Sequence, residues 1–568
     1  MKPLLLLLPA LSFAAAPADD IVLRAMKDEL QRSLSLQLPP LEKPYYIDYS
    51  IDTLQTYSAV ASLGGLISAQ QNFLNVPRVR VHVGGYAFDN TNFLGSAFGL
   101  QSQLPREADY LLIRRMLWLE TDQGYKSAVQ AISRKRATLK NLTQTETLPD
   151  FEARPALRFN RPGAPAAIDF PEWQERVRRV SRVFAQFPGV RNSSVSFYAS
   201  AGDHRFVSTE GSEVRDPEGV SMVRINASAQ AADGMLLRDW ATLPSLDAAR
   251  LPAEAVVRAR AEEVARNVTA LAAAPLAEDY SGPVLFSGIA APQVFAEVFG
   301  RNLALSRKPV GQSGAVPASE LEGRQGVRVL PEMFDVVDDP LQTEFNGQPL
   351  LGTYAVDDEG VAPARLPIVE KGILRNFLLT RSPKRGFPHS NGRARLPGNF
   401  GSSTAALSNL FVTSRETLPV PELKKRLIQL CQQRGKPYGL LIRKMDFPSG
   451  ASIEDARRLL GGQQGGLHPV SAPILAYRVY PDGREELVRG LRLRAFNAKS
   501  LRDILFAGDD QNIFDYLDNG APFALAALGG ATAESSVIAP SLLIDDVDLF
   551  KVEDDLPKLP VVPPPPLT

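Results

Sequence analysis

Gly282-Pro-Val-Leu-Phe-Ser-Gly288 and the run that follows it, with Ala296-Glu297-Val-Phe-Gly300-Arg301 inside, decide the fold reading. A short apolar segment closed by glycine reads as a strand, and residues 292–306 read as the helix after it. Upstream, residues 248–274 form an Ala-rich helical stretch, with Pro252 near its start and Glu262, Glu263 and Arg266 facing outward. Residues 275–282 end that helix and mark a boundary. The chain before it mixes helices and strands. The chain after it is richer in strands and Gly/Pro turns, through to Leu549. The expected class is α+β, with an amino-terminal region over 19–275 (room for two subdomains) and a carboxyl-terminal domain over 280–550.

The amino half supports this reading. Asp19-Asp20 offers a helix cap, and Leu23, Met26, Leu30 and Leu34 follow on one helical face. Residues 46–51 and 76–83 read as strands. In the second, Val79, Val81 and Val83 face one side, and Arg78, Arg80 and His82 make the polar one. Residues 111–140 are helical, with Arg134, Lys135, Arg136 and Lys140 expected on a solvated face. Residues 172–187 form another helix. Residues 194–200, 206–208 and 220–227 read as strands broken by turns, one at Glu210-Gly211 and one exposing His204. In the carboxyl half, residues 423–433 form a helix whose core face carries Cys431.

Composition excludes several functions. The 568 residues hold 63 Lys+Arg and 63 Asp+Glu, a formal charge of 0, which speaks against nucleic acid as a partner. A single Cys and 4 His leave no disulfide and no multi-Cys zinc site. Residues 1–18 read as a signal peptide: Lys2, an apolar run from Leu4 to Leu11, then Ala16-Pro17-Ala18 as the cleavage signature. An exported, periplasmic protein without an integral membrane span is expected. Residues 556–568, with four consecutive prolines, read as a polyproline-like tail.

Five pieces of the chain resemble the TldD/PmbA family, also called the modulator of DNA gyrase family. They are Gly282–Gly288 with its helix, Asp357-Asp-Glu-Gly-Val361 before the strand–turn–strand of residues 368–374, Asn391-Gly-Arg393, Phe206-Val-Ser-Thr-Glu-Gly211 and Ala539-Pro-Ser-Leu-Leu-Ile544. Their order and spacing over residues 200–545 carry the match. The resemblance implies a two-part fold and, in active members, a zinc peptidase site made of an HExxxH helix and a later Cys. Two residues five apart splay by ~140° on an ideal helix, so such a helix must widen for both to reach one metal. The alignment places Ala296 and Arg301 where the family has its histidines. Glu297 and Gly300 match. No Cys stands near residues 524–528, where the third ligand belongs. No metal and no cofactor are therefore expected, zinc being the cofactor of active members.

Glu297 is the remaining catalytic candidate, as a leftover base, against a solvent-facing residue or a partner of Arg301. Asp357 and Asp358 are candidates for binding a peptide amine or a cation, against a plain turn. His389, in a loop beside Asn391-Gly392-Arg393, is a further binding candidate, and His468 follows a Gly-rich loop. Three functions fit. The first is a non-catalytic subunit or scaffold that holds a peptide, paired with an active TldD-like partner subunit or with itself. The second is an active peptidase with a non-standard metal set drawn from His389 or His468. The third is an exported peptide-binding or assembly protein.

Overall fold

The computed structural model describes residues 20–96, 100–101, 103–107, 109–142, 148–163, 167–312, 319–398, 400–446, 470–518 and 532–552. The expected leader, His468, residues 524–528 and the proline tail lie outside them.

Helix α1 (Ile21–Ser33) starts at Asp20, whose carboxylate accepts the amides of Val22 and Leu23. It leads into two long strands, β1 (Pro44–Ser62) and β2 (Gly65–Gly85). Ser62 pairs with Gly65, so a two-residue turn joins them. Leu63 and Gly64 both have positive φ, 49° and 86°, as a primed hairpin turn requires. Then follow α2 (Tyr110–Leu139), α3 (Phe170–Ser181), β3 (Asn192–Ser208), β4 (Glu213–Gln230), β5 (Leu236–Ser245) and α4 (Glu254–Ala273). The strands pair antiparallel in the order β2–β1–β3–β4–β5.

The period-two alternation of these strands gives the sheet two different faces. Odd-numbered side chains bury apolar groups under the helices. Ile47, Tyr49, Ile51, Val79 and Val81 pack with residues of α1 and α2, and Ala59, Phe197, Val223 and Ile225 pack with residues of α3 and α4. Even-numbered side chains point the other way, toward the carboxyl half. The polar stripe of Arg78, Arg80 and His82 lies on that face, and it is buried rather than solvated. Arg80 grips Asp48 at 2.9 Å and reaches across to the Ser403 hydroxyl and the Asp358 carbonyl, each at 3.0 Å. His82 places Nδ1 2.9 Å from Asp89.

Two expectations for this half are corrected. His204 is not in a turn: β3 runs unbroken through it, because its register partners Asp52 on β1 and Asp216 on β4 extend the ladder on both sides. Lys135 is not solvated like its neighbours. It is 1% exposed and donates to Asp150 at 2.6 Å and to the carbonyls of Asp89 and Thr91.

Among the described residues, the carboxyl half holds two large sheets and two short two-stranded ones, residues 344–349 and residues 394–396 with 404–405. Its strands are β6 (Tyr280–Phe286), β7 (Phe334–Asp338), β8 (Leu366–Glu370), β9 (Ile373–Leu374), β10 (Asn409–Ser414), β11 (Gly439–Met445), β12 (Pro473–Val479), β13 (Glu485–Val488), β14 (Leu491–Arg494), β15 (Asn512–Asp518), β16 (Ala533–Ala539) and β17 (Leu542–Lys551). One sheet runs β9–β8–β7–β10–β16–β15, the other β13–β12–β11–β6–β17–β14, with residues 504–507 also paired to β17. A large core of Val284, Phe286, Phe295, Phe299, Val336, Leu410 and Ile442 fills the space between them. Cys431 is buried, as expected, on the inner face of its helix (Val420–Gln433) with Leu423 and Leu427. The class is α+β in two parts. No helix among the described residues is long and apolar enough to cross a membrane.

Candidate functional site

The segment after β6 lies between the two carboxyl-terminal sheets. It begins as α-helix (Ala290–Val294), widens to a π-helix (Phe295–Phe299) and tightens to a 3-10 turn (Gly300–Leu303). The i→i+5 bonding of a π turn is the local widening that two side chains five apart need to reach one point. The geometry therefore persists where Ala296 and Arg301 occupy those positions. Ala296 is buried, with no donor atom beyond its backbone. A β-carbon on Gly300 would collide with the Leu407 side chain, which accounts for the glycine there.

Glu297 is not solvent-facing. It is 7% exposed, because the widened turn rolls it into the core of the carboxyl half. Its Oε2 accepts the Ser471 amide at 2.8 Å, and Oε1 has no hydrogen-bond partner among the described residues. Burial pushes its carboxyl up to about 7, against the pull of Ser471 and the more weakly acting Arg301. At neutral pH it is divided between acid and carboxylate. Burial lowers the Arg301 guanidinium below its ordinary range, opposed first by the charge of Asp518 and then by that of Glu297.

The acidic turn is built inward. Asp357 Oδ1 accepts the amides of Glu359 (3.0 Å) and Val361 (2.8 Å), and Oδ2 that of Ala394 (3.0 Å). Burial, then the neighbouring Glu359 charge, raises its carboxyl to about 7 despite these bonds. Gly360 completes the turn at φ +74°. Asp358 keeps 35% side-chain exposure and lies 3.9 Å from Arg78. His389 is 75% exposed, with Nδ1 2.8 Å from Glu152. Ser390 also donates to Glu152, so this loop is tied to the amino half. Glu297, Asp357, Asp358 and His389 share no hydrogen bond or ion pair with one another.

The structure assembles a different group, one that the sequence reading separated. Asp52, His204 and Glu218 come from three neighbouring strands, β1, β3 and β4, on the even face of the amino-terminal sheet. One ligand atom from each lies within 4.8 Å of the others. His204 Nδ1 is 2.6 Å from Asp52 Oδ1. Burial opposes charge on the imidazole, but the Asp52 carboxylate outweighs it and raises His204 to about 9. Glu218 is exposed, yet dense surroundings raise it to about 8. Only the strand register reveals this group, since the three positions are far apart in sequence.

The fold is two-part, and its carboxyl-terminal half resembles a metallopeptidase domain. Residues 279–445 match the profile of the PmbA/TldA metallopeptidase C-terminal domain. Over 81 residues the chain is 36% identical to a protein named metalloprotease from Archaeoglobus fulgidus, a match spanning 14% of this chain and only 18% of that relative. The fold is that of TldE from Thermococcus kodakarensis (TM-score 0.60, 12% identity, 92% of this chain and 99% of that one). It is also that of two proteins described as modulators of DNA gyrase. The one from Thermotoga maritima has TM-score 0.57 and 14% identity over 89% and 96% of the chains. The one from Bacteroides thetaiotaomicron has TM-score 0.57 and 10% identity over 94% and 98%. The resemblance to the TldD/PmbA family thus rests on the domain over residues 279–445, and over most of the chain the likeness is one of fold.

Proposed function

We propose that this chain is an exported, non-catalytic subunit or scaffold of the TldD/PmbA type, which holds a peptide by strand addition or loop contacts. The observation that carries this reading is the motif helix: its π turn is kept, but Ala296 offers no lone pair to a metal and Arg301 repels a cation. No Cys stands at residues 524–528 to supply a third ligand. The residues at this helix do not fit zinc, and a lone buried Glu297 without a metal is a poor hydrolytic base. The apolar leader over residues 1–18 supports export to the periplasm. Peptide binding by strand addition or loop contact needs no catalytic metal.

Purification of the native complex, with sizing and mass spectrometry, tests the partnership. The expected result is a second chain carrying an intact HExxxH motif. Recovery of this chain only with itself contradicts the paired-subunit reading.

A further inference from the structure

We propose that Asp52, His204 and Glu218 form a divalent-metal site of the zinc class on the even face of the amino-terminal sheet, separate from the motif helix. One imidazole and two carboxylates are ordinary zinc ligands, and three protein ligands leave a position for water or a ligand group. The strand register builds the set. Asp52 and His204 are direct cross-strand partners, so their side chains rise side by side on one face. Glu218 lies opposite Gly202, two residues before His204, and the glycine leaves no side chain between the carboxylate and the imidazole. A β-carbon at Gly202 would overlap the Thr53 carbonyl, so this opening is built into the backbone packing.

The environment suits a cation. His204 is 8% exposed, which fixes its ring, whereas Glu218 is exposed and leaves the group open to solvent. No hydrogen bond or ion pair engages the Glu218 carboxylate among the described residues. Two carboxylates facing each other across one imidazole repel unless a positive charge lies between them, a charge that the imidazolium supplies when no metal is bound. Arg78 donates to Ser50 at 3.1 Å and lies 3.9 Å from Asp358, and its charge also favours the Asp52 carboxylate. Coordination by the imidazole nitrogen displaces the proton that now bridges it to Asp52, and that proton leaves to solvent.

The test is zinc binding by the full chain after chelator stripping, followed by calorimetry and metal analysis with Zn²⁺ alone. One zinc per chain is expected. Glu218→Gln, at an exposed position, should weaken binding by more than about tenfold while leaving the melting temperature in place. His204→Asn should weaken binding as well, with some loss of stability from its broken pair with Asp52, and Co²⁺ substitution should give a visible band that both variants lose. Glu297→Gln should bind zinc like the wild type. Absence of stoichiometric zinc overturns the proposal. So does unchanged affinity in Glu218→Gln, or a loss of affinity in Glu297→Gln, which would move the metal to the motif helix.

Discussion

Arg381→Met is expected to destabilise the chain by about 3–5 kcal/mol, the range for removing one partner of a buried ion pair. Arg381 comes from the carboxyl half and is 1% exposed. Its guanidinium donates to Glu210 at 2.6 Å and to the Glu152 carbonyl at 2.6 and 2.9 Å. It also lies over the Phe151 ring, 4.1 Å from its centre. All three partners belong to the amino half. Methionine fills the length of the stem but supplies no donor, so the Glu152 carbonyl loses two hydrogen bonds and Glu210 loses its cation. Tyr86 and the Arg154 amide still serve Glu210, which keeps the loss from being larger. Lysine keeps the charge without the planar fork and should recover only part of the stability. Denaturant unfolding, followed by fluorescence, measures the difference. A loss below about 1 kcal/mol would show that this arginine does not hold the halves together.

The second large effect is pH-dependent. Folded Glu297 keeps its proton to about pH 7, whereas an unfolded glutamate releases it near 4.5. Between these values the unfolded chain has lost a proton that the folded chain still holds, so rising pH removes stability. Above pH 7 the loss is complete. Glutamine resembles the protonated acid and does not titrate. Glu297→Gln should therefore be more stable than the wild type by roughly 2–3 kcal/mol at pH 8 and equal to it below pH 4.5. Melting temperatures of the two proteins at pH 4 and pH 8 check this. A destabilised variant at pH 8 would mean that the carboxylate is held by bonds stronger than the Ser471 amide.

Much of the fold was legible because local pattern and tertiary role agree. The helix expected over residues 111–140 is Tyr110–Leu139, the strand from Gly282 is Tyr280–Phe286, and the turn at Glu210-Gly211 joins β3 to β4. The π turn is the widening that the resemblance implies for the family's motif helix, kept here although the two ligands that would require it are absent. What stayed hidden depends on long-range partners. His204 sits between Asp203 and Arg205, a polar triplet that locally reads as a turn. Cross-strand pairing with Asp52 and Asp216 holds it extended. Glu297 reads as a surface residue from its helix neighbours, but the widened turn and the Ser471 amide bury it. The even face of the amino-terminal sheet looks solvated by composition, and only the packing of the carboxyl half covers it.

The central claim is that the motif helix keeps the family's shape without its chemistry. The most direct measurement is cleavage of a mixed peptide pool and an unfolded protein by the purified chain, with and without added Zn²⁺, alongside Glu297→Gln and Glu218→Gln. The account predicts no cleavage above background in any of them. Zinc-dependent cleavage by the wild type that Glu297→Gln abolishes would contradict it and restore the motif helix as an active centre. Cleavage lost instead in Glu218→Gln would also contradict the non-catalytic reading, and would place the chemistry at the strand site.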